Sequence, residues 1–248
     1  MTFNLPYPKL FLVLIIFSSC ITFSCKKTGT IPETETGTMT DIDNNVYRTI
    51  KIGDQWWMAE NLKVKKYRNG VTIQEFSGTE QDAWKNSISG AYCQYADNPN
   101  APGLLYNWYA INEQNNLAPD GWHIPNDEEW KELEMHLGMS LNEADKSSWR
   151  GTNQGEKIKS SGLEYWASYG GVWGTNESGF SALAGGCRLF DGTWSVPGGI
   201  SYMGFWWTNT DHPSGEAWYR YLDYKNTNVF RSHTLKTYGF SVRCVKNK

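Results

Sequence analysis

The chain has 248 residues, enough for one sizeable domain, and its charge balance excludes some classes of partner. Its 23 Lys and Arg against 26 Asp and Glu give a formal net charge of −3, so nothing in its electrostatics favours nucleic acid as a partner. Aromatic residues make up 15% of the chain, and 24 residues are Gly. This composition favours a domain rich in strands and loops, with a core of large flat rings.

The N-terminal segment has the pattern of a targeting signal rather than of a folded element. Lys9 precedes an apolar run at residues 10–17 that is too short to cross a bilayer but suits a signal peptide. After this run, a Ser directly precedes Cys20 and another precedes Cys25, as at the cleavage site of a bacterial lipoprotein. An apolar residue three places upstream favours Cys20, whereas two lysines and a polar stretch directly after it favour Cys25.

We therefore expect residues 1–24 to be a lipoprotein signal peptide, with either Cys20 or Cys25 lipidated. The membrane would then be a partner, and the protein would be exported and anchored to the cell envelope, at the periplasmic or surface face of the outer membrane. Several acyl chains at about 0.8 kcal/mol for each buried CH₂ make such an anchor effectively permanent. A secreted protein without lipid is the alternative. Residues 25–40 are rich in Thr and poor in apolar side chains, which predicts a flexible tether of about 20 Å.

Order is predicted to begin at Asp41. Residues 46–52 alternate as a strand does, Gly53-Asp54 is typical of a turn, and residues 55–58 form a second apolar run, so we expect a hairpin. Residues 41–45 resemble the start of a calcium loop. However, Val46 occupies the position where that loop needs Gly, and no metal is expected there.

The best-defined helix is predicted over residues 126–137. Asn126 is a good N-cap, and Glu129 can return a hydrogen bond to it in a capping box. Trp130 begins a narrow apolar stripe that continues one and two turns later, and Gly138 can end the helix. The C-terminal third, from residue 180 onward, consists of short apolar runs separated by turns. Together these patterns predict an α+β fold of mainly antiparallel short strands, with one or two helices and long loops.

Six blocks of the sequence, in this order, resemble the Fibrobacter succinogenes major paralogous domain. They are Val46-Tyr47, residues 53–62 (GDQWWMAENL), 103–110 (GLLYNWYA), 121–130 (GWHIPNDEEW), 176–183 (NESGFSAL) and 238–245 (YGFSVRCV). The resemblance makes residues 41–248 one such domain. It implies a secreted or lipid-anchored bacterial protein, of a family with no established activity. More loosely, the fourth and sixth blocks resemble the formylglycine-generating-enzyme branch of the C-type-lectin-like fold, which implies chain termini that lie close together.

The resemblance also bears on the cysteines. Family members often have a Cys just before the Pro-x-Gly-Trp-His turn, which would pair with the terminal Cys, but this chain has Ala118 there. Cys244 would then pair with Cys187 or Cys93, or remain free. A Cys187–Cys244 bridge would close a loop of about sixty residues and contribute about 4 kcal/mol.

Motifs of known chemistry are sparse. The four histidines form no ligand cluster at the spacing of a metal site, and no nucleotide, nucleophile-elbow or calcium-dependent lectin motif is present, so we expect no metal and no cofactor. The acidic run at residues 127–129 could hold a glycosidase pair. The charge preference of a helix start explains it more simply.

Aromatic strand residues are the remaining candidates for a ligand site. Trp206, Trp207, Asn209, Trp218 and Arg220 combine rings that could stack on sugars with polar groups that could bind hydroxyls. The alternative is that these rings only pack in the core. We expect a non-catalytic binding or adhesion module for polysaccharide or another envelope protein. An enzyme with a site built from loops and a purely structural envelope protein are the alternatives.

Overall fold

The computed structural model describes residues 1–2, 34–98, 100–112, 114, 116–171, 173–195 and 200–248. The predicted signal peptide and both candidate lipidation cysteines, Cys20 and Cys25, lie outside the described residues. In the part of the chain that is described, no helix combines the length and apolarity needed to cross a bilayer. Residues 34–248 form a single unit. Its mixture of α and β structure is as predicted.

The described strands fall into three sheets, of order β1-β2-β3-β12-β7, β8-β11-β10-β9 and β4-β5-β6, and nearly all neighbouring strands run antiparallel. The strands are β1 (Thr36–Thr40), β2 (Val46–Ile52), β3 (Gln55–Met58), β4 (Gln74–Glu75), β5 (Ala91–Cys93), β6 (Leu105–Tyr106), β7 (Trp122–His123), β8 (Ser148–Arg150), β9 (Met203–Asp211), β10 (Ala217–Asp223), β11 (Val229–Thr234) and β12 (Val245–Lys246). The helices are α1 (Gln81–Lys85), α2 (Trp108–Ile111), α3 (Asp127–His136), α4 (Leu141–Ala144) and α5 (Gln154–Ile158).

The first sheet begins earlier than the sequence predicts. The hairpin of β2 and β3 is confirmed, with Gly53 in the left-handed region at φ 61°. However, β1 lies inside the stretch predicted to be tether, and it pairs along its whole length with β2. Threonine favours extended backbone, and the one apolar residue of β1, Met39, is buried. Pairing with β2 therefore stabilises this segment although most of its residues are polar.

The turn between β1 and β2 is organised by Asp41. Its carboxylate accepts hydrogen bonds from the backbone N–H groups of Asp43 and Asn45, both at 2.9 Å, and from the Tyr47 hydroxyl at 2.6 Å. The sequence that resembles a calcium loop is therefore a turn in which a carboxylate replaces missing backbone partners.

Helix α3 is capped as predicted. Asn126 accepts from the backbone N–H of Glu129 at 2.9 Å, and Glu129 accepts from the backbone N–H of Asn126 at 2.9 Å. Trp130 packs between Trp57 and Phe180, with ring centroids 5.0 and 5.5 Å apart respectively. These contacts bury the helix against the first sheet and make it part of a large apolar core.

The C-terminal third is only partly strand. Apolar runs predicted as strands become β9, β10 and β11, but residues 180–190 form only isolated bridges, and in residues 238–245 only Val245 belongs to a strand. Arg243 explains part of this difference, because its buried guanidinium donates to the carbonyl oxygens of Met58, Phe180 and Ser181. The Arg243 side chain thus occupies backbone carbonyl oxygens that would otherwise be available to a neighbouring strand.

The structure has the free-thiol alternative rather than a Cys187–Cys244 bridge. Among the residues that the structure describes, Cys187 and Cys244 carry free, buried thiols. Both belong to the same apolar core, and the backbone N–H of Cys187 donates to Ser195 Oγ at 3.0 Å. Burial raises the pKa of Cys187 to about 12 and raises that of Cys244 well above its usual range. Each thiol acts as a small apolar side chain.

Candidate functional site

Two of the predicted ligand-binding rings are in the core. Trp206 and Trp207 are only 1% and 0% exposed. Their indole N–H groups donate to Asn61 Oδ1 at 3.0 Å and to the carbonyl oxygen of Tyr106 at 2.9 Å. Both faces of β9 are covered at these two positions, so neither ring can stack on a ligand.

The other three predicted residues do not form a common surface. Arg220 is buried, and Asn209 is exposed on the same sheet. Trp218 is half-buried, and the guanidinium of Arg231 lies 3.7 Å from its ring centroid, covering one face. The five residues are therefore divided between core and surface rather than brought together.

Arg220 belongs to a buried ion network between α3 and the second sheet. Its Nη1 lies 2.6 Å from Asp127 Oδ1, and its Nε lies 2.7 Å from Glu134 Oε1. Arg231 pairs with Asp127 at 2.6 Å, and Arg150 pairs with Glu134 at 2.7 Å. Burial alone would raise the pKa of Asp127, but the charges of Arg220 and Arg231 outweigh it and hold that pKa far below its usual range. Asp127, the first residue of the acidic helix start, is thus engaged in buried ion pairs.

The opposite face of this sheet carries a row of half-buried aromatic side chains, which we call the aromatic ladder. It consists of Trp149 on β8, Phe230 on β11, Tyr221 on β10 and Phe205 on β9. Each is the direct cross-strand neighbour of the next. Their ring centroids are 5.2, 5.8 and 4.5 Å apart in that order, and the last pair is stacked at 15°.

Alternation along β10 places the ladder and the ion network on opposite faces. Tyr219, Tyr221 and Asp223 point one way, whereas Arg220 and Leu222, both buried, point the other. This period of two is visible in the sequence. It predicts that the tyrosines of β10 share one face, and so indicates them, rather than the tryptophan pairs, as candidates for a ligand surface. What the sequence could not supply is the register that aligns four strands in one row.

Two clefts lie away from the ladder. One of about 530 Å³ includes Tyr67, Glu75 and Tyr92 in its lining. The hydroxyl of Tyr92 donates to Glu75 at 2.8 Å, and burial, followed by this hydrogen bond, raises the pKa of Tyr92. The other, of about 270 Å³, lies against Arg68, whose guanidinium donates to the carbonyl oxygens of Ala118 and Pro119. In both clefts the charged or phenolic groups named here are bound to other protein groups.

Three side chains that no sequence motif connects meet near the β9–β10 turn. They are His212, Glu216 and His233, with one ligand atom from each lying within 4.8 Å of the others. The rings of His212 and His233 stack with centroids 3.6 Å apart, and His233 Nδ1 contacts Glu216 Oε2. Because His212 and Glu216 flank a turn and His233 lies on β11, well separated from them in sequence, no sequence spacing could reveal the cluster.

The fold is an α+β domain of short, mainly antiparallel sheets, and its longest described helix, α3, begins with a capping box. The chain belongs to the Fibrobacter succinogenes major domain family, whose sequence pattern matches residues 50–246. The predicted resemblance is thereby confirmed over nearly the whole described unit. No curated protein and no solved structure matches the chain.

Proposed function

We propose that this protein is a tethered envelope lipoprotein whose domain is a non-catalytic binding or adhesion module, and that the aromatic ladder binds polysaccharide. The observation that carries the proposal is the row of four half-buried rings on neighbouring strands. Sugar rings have flat apolar faces that pack well on aromatic side chains. At the usual strand spacing the row is about 14 Å long, which suits a stretch of oligosaccharide.

Polar groups lie beside the rings on the same face. The hydroxyl of Tyr221 is 3.3 Å from Asp223 Oδ2, and Tyr219 is the cross-strand neighbour of Ser232. Hydroxyl and carboxylate groups at the edge of an aromatic surface can exchange hydrogen bonds with sugar hydroxyls. The ladder therefore combines stacking area with the means to fix orientation.

The proposal includes a C-type-lectin-like fold. Support comes from the first sheet, where β1 and β12, the first and last strands of the described unit, belong to the same five-stranded sheet. Chain ends held in one sheet leave the second sheet and its loops to carry a binding surface.

The lipid anchor is part of the same proposal, and it rests on the apolar run and the two Ser-Cys pairs near the N-terminus. Labelling of cells with a palmitate analogue tests it. The wild-type chain should incorporate label, and either Cys20→Ala or Cys25→Ala should abolish it while the other retains it. Absence of label from the wild-type chain would exclude lipidation.

Polysaccharide binding is tested by native affinity electrophoresis of the full chain in gels that contain single soluble polysaccharides. At least one polysaccharide should retard the wild-type chain. Trp149→Ala and Phe230→Ala should each weaken retardation by about tenfold, because each removes one stacking ring. Tyr202→Ala is the matched control, since Tyr202 is an exposed aromatic residue, 40% accessible, outside the ladder.

Two results would contradict this function. A wild-type chain that no polysaccharide retards would leave the ladder without a glycan ligand and favour an envelope protein as partner. Folded ladder variants that migrate as the wild-type chain does would show that sugar binds elsewhere. Circular dichroism and thermal melting identify variants that have lost the fold.

A further inference from the structure

The cluster of His212, Glu216 and His233 has the composition of a metal site. Its ligand atoms are imidazole nitrogens and a carboxylate oxygen, all within 4.8 Å of one another. All three side chains are half-buried, so they are held in place yet open to solvent. Imidazole and carboxylate ligands together suit Zn²⁺, and zinc sites that keep an open position use three protein ligands.

We propose that His212, Glu216 and His233 bind one Zn²⁺ ion, with the fourth position left to water or to a ligand. The site would link the β9–β10 turn to β11, since His212 and Glu216 flank the turn and His233 lies on the neighbouring strand. This inference is independent of the aromatic ladder, because it rests on other residues.

The ligand atoms need only a small movement to close on a metal. Bonds of about 2.0–2.1 Å in a tetrahedral site place ligand atoms about 3.3 Å apart, against an upper limit of 4.8 Å here. The two imidazole planes are nearly parallel, at 5°, with ring centroids 3.6 Å apart, so one metal ion cannot lie in both ring planes until the rings rotate. Rotation about the Cβ–Cγ bonds would turn both rings towards one point.

Neighbouring groups already orient the ligands. Ser214 holds His212 Nδ1 through its backbone N–H, which donates at 3.2 Å, and through its Oγ, which lies 2.7 Å away and also 3.3 Å from Glu216 Oε2. A metal bound at Nε2 of this ring would require the ring proton to move to Nδ1, where it could donate to Ser214 Oγ. His233 Nδ1 and Glu216 Oε2 are in direct contact. A metal ion would replace the proton between these two atoms, and that proton would pass to solvent.

The surroundings do not oppose a cation. Trp218 closes the inner side, with its ring edge-on to His212 and His233 at centroid distances of 5.1 and 5.3 Å. Behind it, the charge of Arg231 is balanced by Asp127, 2.6 Å away. A lower-dielectric wall on one side and open solvent on the other is the arrangement of a metal site that can accept an exogenous ligand.

Isothermal titration of ZnCl₂ into the metal-free full chain tests the proposal. The chain carries Cys20→Ser and Cys25→Ser, so that N-terminal thiolates do not compete for zinc. We expect one Zn²⁺ per chain and a higher melting temperature with zinc than with EDTA. His212→Gln and His233→Gln should each weaken zinc binding by at least about tenfold. Loss of a group that only hydrogen-bonds a metal ligand already lowers metal affinity by about that factor, and loss of the ligand itself lowers it further.

His136→Gln is the matched control, because His136 is exposed on α3 and outside the cluster, and it should bind as the parent chain does. Melting in EDTA shows whether each variant keeps the fold. If a histidine variant unfolds, Glu216→Gln replaces it, with the same expected loss. A parent chain that takes up no Zn²⁺, or folded cluster variants that bind it unchanged, would overturn the assignment.

Discussion

Single side chains connect distant parts of this fold, and Asn61 is the clearest case. Its Oδ1 accepts from Trp206 Nε1 and from Arg243 Nε, both at 3.0 Å, while its Nδ2 donates to Pro102 O at 2.8 Å. Three of these residues lie in or beside blocks that resemble the family, so the blocks mark a buried polar network. An apolar residue at position 61 would leave two buried donors without partners.

Cys187 and Cys244 provide a test at the scale of single residues. Because both thiols are free and burial raises their pKa values, dithiothreitol should not change the melting temperature of the folded chain. Iodoacetamide at pH 8 should label neither cysteine until the chain is unfolded in guanidinium, since the thiolate is the reactive form. Peptide mapping by mass spectrometry assigns the label to each position.

A fall of several degrees in melting temperature on reduction would show that a disulfide exists after all. Labelling of either cysteine in the folded chain would contradict its burial. Cys187→Ala should retain most of the stability, because it removes one small side chain from the core rather than a covalent link.

At the scale of elements, the sequence predicted those helices and strands whose formation depends on residues close together in the chain. The capping box of α3 and the β2–β3 hairpin depend on side chains and turn residues close in sequence, and both are as predicted. β1 was missed because its stability comes from pairing with β2, which the polarity of its own residues does not indicate.

The N-cap of α3 makes a quantitative prediction. Asn126→Ala removes the hydrogen bond to the backbone N–H of Glu129 and should lower the free energy of unfolding by about 1 kcal/mol. Asn153→Ala is the matched control, because Asn153 occupies the N-cap position of α5 without a side-chain cap hydrogen bond. Urea unfolding of both variants measures the difference. Equal losses would mean that the cap bond contributes nothing specific.

At the scale of the whole molecule, the sequence predicted which type of residue forms the candidate site, but not which residues come together there. Composition indicates that aromatic strand residues form the candidate surface, but Trp207 is covered by Phe240, whose segment pairs with the edge of β9 at Trp206. The aromatic ladder depends on the register of four strands, and the histidine cluster depends on a turn meeting a separate strand. Long-range pairing of this kind leaves no local trace in one sequence.

The ion network is the last whole-molecule feature with a measurable consequence, because it joins α3 to β8, β10 and β11. Asp127→Asn would leave Arg220 and Arg231 without one buried countercharge, which should cost about 3–5 kcal/mol at pH 7. Glu128→Gln is the matched control. The Glu128 side chain is 75% exposed, and its partner, the buried Lys131, keeps a second carboxylate, that of Asp145, at 2.7 Å, so we expect a change below about 1 kcal/mol.

The pH dependence follows from the direction of the Asp127 pKa. Because the ion pairs lower this pKa in the folded state, the carboxylate contributes its stability above its unfolded pKa of about 3.9 and loses it as the pH falls towards the folded value. The gap in unfolding free energy between the parent chain and Asp127→Asn should therefore be constant from pH 7 to about 5 and narrow below about 4. Urea unfolding at pH 7, 5 and 3 measures it. A gap that widens in acid would mean that Asp127 is protonated in the folded chain, and the network would then hold three arginines with only Glu134 as their buried countercharge.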